Sequence, residues 1–96
     1  SGNMIDANEA KQLGLVNYIT TQENLLEETK KILVVINSKA PLAVAACIRS
    51  VNAVFNETIN GFETEVEEFG NCFGTEDMKE GVAAFLEKRK AVFRGR

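Results

Sequence analysis

Between Pro41 and Glu57 the chain carries one charge, Arg49. A helix drawn through this stretch puts Val44, Cys47, Ile48, Val51, Val54 and Phe55 on one side. Ala43, Ala45 and Ala46 make a second side unusually small. Pro41 suits the first helical position, where the missing N–H has no intrahelical partner to lose. A helix this apolar needs neighbours on more than one face. A chain of 96 residues makes one small domain with a limited core. Covering that helix is therefore the constraint every other segment must answer to.

The segments on either side do not obviously meet it. Thr20-Thr-Gln-Glu23 reads as a capping box opening a helix that runs to about Asn37. Its expected buried stripe is Leu25, Leu26, Thr29, Ile32, Leu33 and Ile36, and Glu27 and Lys31 form an i,i+4 pair on the wet face. Val34 and Val35 widen the apolar side beyond what one neighbour uses. Ser38-Lys-Ala-Pro41 breaks the helix. Downstream, Asn60-Gly61 signals a turn. From about Phe62 to Phe73 a fourth helix carries Phe62, Val66, Phe69 and Phe73 at i, i+4, i+7 and i+11, opposite Glu63, Glu65, Glu67 and Glu68. An aromatic stripe of this kind is expected to be core. Gly70 inside it costs about 1 kcal/mol relative to alanine, which suggests a close neighbour or a bend.

The last helix has both ends written into its residues. Thr75 is an N-cap, with Glu76, Asp77 and Glu80 at the positive end of the dipole and Lys88, Arg89 and Lys90 at the negative end. Met78, Val82, Phe85, Leu86 and Arg89 share a face, so the helix is expected to continue through the basic turn. Phe85 and Lys88 are three apart and neighbours on its surface. An aromatic face beside an ammonium suits a flat anionic ligand, such as an adenine nucleotide with a phosphate. A helix C-terminus repels anions, so side chains must supply the attraction. The plainer reading is a core phenylalanine followed by a solvated basic turn.

The chain opens on Ser1-Gly2 without a methionine, which reads as a vector scar or a cut inside a longer protein. Asp6 caps a short helix over Ala7 to Leu13, with Glu9 in capping-box position and Gly14 as the stop. Leu15-Val-Asn-Tyr-Ile19 is at best a short extended stretch, and a lone strand needs a partner this chain does not obviously supply. The net charge of −3 argues against a nucleic-acid partner. No apolar run reaches membrane-spanning length and none reads as a signal peptide, so no membrane is expected. Cys47 and Cys72 do not make a disulfide framework, which favours a reducing, cytoplasmic setting. Without histidine or a close cysteine pair, no metal site is expected.

Residues Phe73-Gly-Thr-Glu-Asp-Met-Lys-Glu-Gly81, followed by Ala84-Phe-Leu-Glu-Lys-Arg-Lys90 and Phe93, resemble the C-terminal signature of the crotonase family, the enoyl-CoA hydratases and isomerases. Gly2-Asn-Met-Ile-Asp-Ala-Asn-Glu-Ala-Lys-Gln-Leu-Gly-Leu-Val-Asn-Tyr18 resembles that family's segment ending in Ala-x-x-x-Gly-Leu-Val. The likeness runs in order over essentially the whole chain. Ala91 departs from it, since many relatives have proline there.

The resemblance implies a mainly α fold, the C-terminal helical trimerisation region of the crotonase fold, with about four to five helices and one short extended segment near the N-terminus. Residues 1–20 would then end the crotonase core, and residues 21–96 would form a helical oligomerisation and CoA-contact region. It implies a parent enzyme that adds water to 2-trans-enoyl-CoA, as in fatty-acid β-oxidation, or isomerises it. The partners it implies are an acyl-CoA substrate and sister subunits in a homotrimer or hexamer. No cofactor is implied beyond the coenzyme A the substrate carries. The family's catalytic glutamates and oxyanion-hole amides lie upstream, so Glu63 and Glu67, although i,i+4, match no catalytic position. No catalytic residue is assigned, and the chain alone is expected to be inactive. Phe85 and Lys88 match positions that approach the coenzyme A nucleotide of a neighbouring subunit, and Phe69 matches a position lining the acyl pocket. The competing reading is a free-standing helical oligomerisation or docking module without acyl-CoA chemistry, which the orphan Leu15–Ile19 stretch fits badly.

Overall fold

A computed structural model describes residues 2–96. It contains five helices: α1 (Ala7–Gln12), α2 (Leu25–Asn37), α3 (Pro41–Ala53), α4 (Gly61–Cys72) and α5 (Glu76–Leu86), with no strand among the described residues. The chain divides into two compact units, one ending at Leu33 and the other spanning Val34–Arg96.

In the first unit, α1 starts as its sequence dictates. The Asp6 carboxylate accepts from the Glu9 backbone N–H at 2.8 Å, and Gly14 takes the left-handed backbone (φ +73°) that stops the helix. Leu15–Ile19 finds no ladder partner and lies as irregular chain. The start of α2 differs from the capping-box reading. Residues 22–24 form a turn, and the helix begins at Leu25, with the Glu28 N–H donating to the Asn24 carbonyl at 2.9 Å. Thr20 therefore lies outside the helix. The Glu23 carboxylate is instead held below its usual range by its own backbone N–H, then by Thr21. Lys31 bridges Glu27 at 3.1 Å and Glu28 at 2.7 Å. No residue of α2 is buried, so its expected buried stripe is open.

In the second unit, α3 and α4 pack on each other through their smallest residues. Ala46 and Ala53 are buried, and a Cβ at Gly61 would sit 3.7 Å from the Val54 backbone nitrogen. At the other end of the pair, the Arg49 guanidinium donates to both oxygens of Glu68 at 2.6 Å, a fork-to-fork contact. α3 ends at Ala53, a turn earlier than its apolar run suggests. The Val54 and Phe55 N–H groups bond back three residues, to Val51 and Asn52, tightening the helix to a close. Asn56 then offers a rival structure, its side-chain oxygen accepting from the Thr58 N–H at 3.0 Å and hydroxyl at 2.7 Å. Asn60 caps α4 by accepting from the Phe62 and Glu63 N–H groups.

The aromatic stripe of α4 is not core. Phe62 is 82% exposed and Phe69 is 65% exposed, with Val66 and Phe73 also open. Phe55, Val54 and Val51 on α3 are open too. The helices meet along alanine and glycine, and the large residues on both point away from the seam.

α5 begins where the sequence places it, with the Thr75 hydroxyl accepting from the Met78 N–H at 3.1 Å. It ends sooner. Glu87 is the C-cap, Lys88 sits in the left-handed region at φ 55°, and the chain reverses. The Lys88 N–H reaches the Phe85 carbonyl at 3.3 Å and the Arg89 N–H reaches Ala84 at 3.0 Å, the paired bonds of a Schellman motif. Residues 90–96 then run back along α5. A Cβ at Gly81 would lie 3.5 Å from the Phe93 ring, an ordinary contact distance, so the returning strap runs close along this face of α5.

Candidate functional site

Two carboxylates of α5 hold that strap. Asp77, only 3% exposed, accepts from the Arg94 N–H at 2.7 Å and the Gly95 N–H at 2.8 Å, while its own N–H donates to the Arg96 carbonyl at 3.0 Å. Glu80 takes the Arg89 guanidinium on both oxygens, at 2.6 and 2.9 Å, and the Val92 N–H at 2.8 Å. A groove of about 200 Å³ opens between helix and strap, lined by Glu76, Asp77, Glu80, Val92 and Arg94. Sequence reasoning assigned Asp77 and Glu80 only to the helix dipole. Their partners are backbone amides and an arginine up to eighteen residues away, and amides leave no residue signature.

Arg89, and after it the Val92 N–H, hold the Glu80 carboxyl down at about 2, from an ordinary 4.5. A depressed carboxylate contributes its full stability above the ordinary value and loses it as pH falls through the depressed one. The Val92 end of the strap is therefore expected to loosen between about pH 4.5 and about pH 2. The Val92 amide proton shift would follow this. A midpoint near pH 6 would contradict the assignment.

Phe85, on the last turn of α5, is 83% exposed. That excludes the plainer reading of a core phenylalanine within this chain. Lys88 is exposed and has no ion-pair partner among the described residues. The two are joined by the Lys88-to-Phe85 backbone bond, so an aromatic face and an ammonium stand at one helix end. Phe69 belongs to a different helix, its ring edge-on to Phe73 at 5.0 Å and 83°. It faces open space on α4 rather than forming a closed pocket with the other two. Glu63 and Glu67 line a shallow depression with Phe62 and Val66. No group of three or more potential metal ligands converges among the described residues. No single helix is long and apolar enough to cross a membrane.

A left-handed backbone disfavours a residue with a Cβ by about 1–2 kcal/mol. Lys88→Gly is accordingly expected to stabilise the chain by about 1 kcal/mol, read as a raised thermal midpoint. A lowered midpoint would mean that the lysine side chain, not the turn, holds this corner.

A family model for enoyl-CoA hydratase/isomerase matches residues 1–96. The crotonyl-CoA hydratase of Syntrophomonas wolfei is 45% identical over 94 residues, covering 97% of this chain and 36% of that protein. The mitochondrial enoyl-CoA hydratase of Pongo abelii is 42% identical over 95 residues, covering 98% of this chain and 33% of that one. The crystal structure of an enoyl-CoA hydratase from Bacillus anthracis superposes with a TM-score of 0.86 at 31% identity, covering 94% of this chain and 35% of that one. The chain thus spans about a third of the length of the curated relatives it matches.

Proposed function

The chain belongs to the enoyl-CoA hydratase/isomerase family, and from that we propose that it is the helical part of an enoyl-CoA hydratase, serving subunit packing and coenzyme A contact rather than bond-making. The parent reaction in this reading is addition of water to a 2-trans-enoyl-CoA in fatty-acid β-oxidation. It needs no cofactor beyond the coenzyme A of its substrate and runs in the cytoplasm. One observation carries the reading: the large apolar side chains of α3 and α4 are open while alanines fill the seam between them. Such faces are built for sister subunits in a homotrimer or hexamer and for the rest of the enzyme.

Phe85 and Lys88 supply the ligand contact in this reading. The ring offers a face to the adenine and the ammonium a charge to the phosphates of coenzyme A held largely by a neighbouring subunit. Phe69 lines the acyl pocket once the missing wall is present. No carboxylate here does acid–base work. Glu68 and Glu80 are committed to arginines, and Glu63 and Glu67 face solvent without the oxyanion donors an enolate needs.

The test is a hybrid enzyme. The matching segment of the Syntrophomonas crotonyl-CoA hydratase is replaced by this chain. The hybrid is expected to assemble and hydrate crotonyl-CoA, and the 96 residues alone to show no hydration. Within the hybrid, Lys88→Ala should raise KM for crotonyl-CoA by about fivefold with kcat nearly unchanged. Hydration by the lone chain, or an assembled hybrid without activity, would refute the proposal.

A further inference from the structure

We propose that Glu80 is a positioning residue for Lys88: its grip on Arg89 and Val92 fixes the reversed turn in which the Lys88 ammonium is free to meet an anion. The proposal rests on the coenzyme A reading of Lys88 given above.

Three consecutive cations, Lys88, Arg89 and Lys90, follow α5, and among the described residues only the middle one makes an ion pair. Arg89 donates from both terminal nitrogens to Glu80, from Nε to Glu87 at 2.6 Å, and from its backbone N–H to Ala84. It is thus anchored by main chain and side chain at once. Lys88 sits between that anchor and its own bond to Phe85, in a left-handed backbone that residues with a Cβ avoid. Such a conformation persists only where its surroundings over-determine it. Beside the turn's own bonds to Phe85 and Ala84, Glu80 fastens the chain as it leaves the turn. It holds Arg89, one residue past Lys88, and the Val92 amide, four residues past it. The charged groups around it are Arg89, Arg94 from the strap, and Asp77 and Glu76 along the same groove. Its carboxyl stays ionised throughout the neutral range, so the clamp is permanent near neutral pH.

Without the Glu80 charge, two things change together. The turn loses its fastener, and α5 is free to continue through residue 88 as its amphipathic pattern invites. In a continued helix Lys88 would lie on the helix surface three residues after Phe85, and Arg89 and Lys90 would follow at about 100° each around the axis, so the ammonium would no longer be set by the reversed turn. Arg89 is also released as a competing cation. Glu80 therefore decides which of the three cations is presented, and where.

The experiment uses the hybrid enzyme with Glu80→Gln, Lys88→Ala and the two combined, reading KM and kcat for crotonyl-CoA. Glu80→Gln keeps the size and the Val92 acceptor but loses the charge. It is expected to raise KM by roughly threefold to tenfold and leave kcat within about twofold. The combined variant should be no worse than Lys88→Ala alone, because both changes act through one ammonium. Arg89→Met, which removes the same fork from its other side, is read in parallel and should also raise KM. If Lys88→Ala leaves KM unchanged, the coenzyme A reading fails and this proposal with it. If Lys88→Ala raises KM while Glu80→Gln and Arg89→Met do not, or if the effects multiply, positioning by Glu80 is overturned and the coenzyme A reading stands.

Discussion

Asp77→Ala is expected to release the C-terminal strap and cost about 3–5 kcal/mol. The carboxylate is one of very few buried side chains in the chain, and it accepts from two backbone amides, Arg94 and Gly95. Hydrogen bonds to a charged acceptor contribute more than neutral ones, and their loss leaves donors that find no other protein partner. An alanine keeps the backbone bond from residue 77 to the Arg96 carbonyl at 3.0 Å, but that end has few other side-chain fastenings. Phe93 lies against Gly81, and Arg96 reaches Glu76 at 2.7 Å on the exposed surface, where ion pairs contribute little. Amide exchange at Arg94 and Gly95 should rise to the rate of unstructured chain, and the urea midpoint should fall. Asp77→Asn keeps one acceptor oxygen and should fall between. Protected Arg94 and Gly95 amides in Asp77→Ala would show that the strap is held by something else.

Phe62→Ala and Phe69→Ala should behave in the reverse of the usual way for phenylalanine. Truncating a core phenylalanine costs about 3–5 kcal/mol. In the isolated chain these rings face solvent, so each truncation should change folding stability by less than about 0.5 kcal/mol. In the hybrid enzyme, where the rings are expected to meet other surfaces, the same changes should lower the thermal midpoint by many degrees or prevent assembly. The difference between the two contexts is the informative quantity. A cost of several kcal/mol in the isolated chain would mean that α4 covers its own stripe, against the exposure of Phe62 and Phe69.

What the residues made legible was local. Asp6, Thr75 and Pro41 mark helix starts because a cap or a missing N–H acts within one turn. The i,i+3 spacing of Phe85 and Lys88 reads as one helix face, but α5 stops at Leu86 and Lys88 lies in the left-handed turn beyond it. Burial was not legible in the same way. Periodicity sorts side chains into faces, but it does not say which molecule covers a face. The Phe62, Val66, Phe69 stripe was therefore expected inside and lies outside. The seam that does form runs through Ala46, Ala53 and Gly61, whose small size carries only a weak apolar signal. The end of α5 was missed for another reason. A left-handed cap is announced by glycine or asparagine, and here a lysine stands in that place. The Asp77 clamp joins residues far apart in sequence through amides that every residue possesses.

In this reading the open apolar faces of α3 and α4 are interfaces. Sedimentation equilibrium of the 96-residue chain at rising concentration tests that most directly. Masses well above 10.6 kDa, pulled back toward the monomer by Phe62→Ser, are the predicted result. A chain that stays at 10.6 kDa at the highest concentration and still unfolds in one sharp cooperative transition would contradict it.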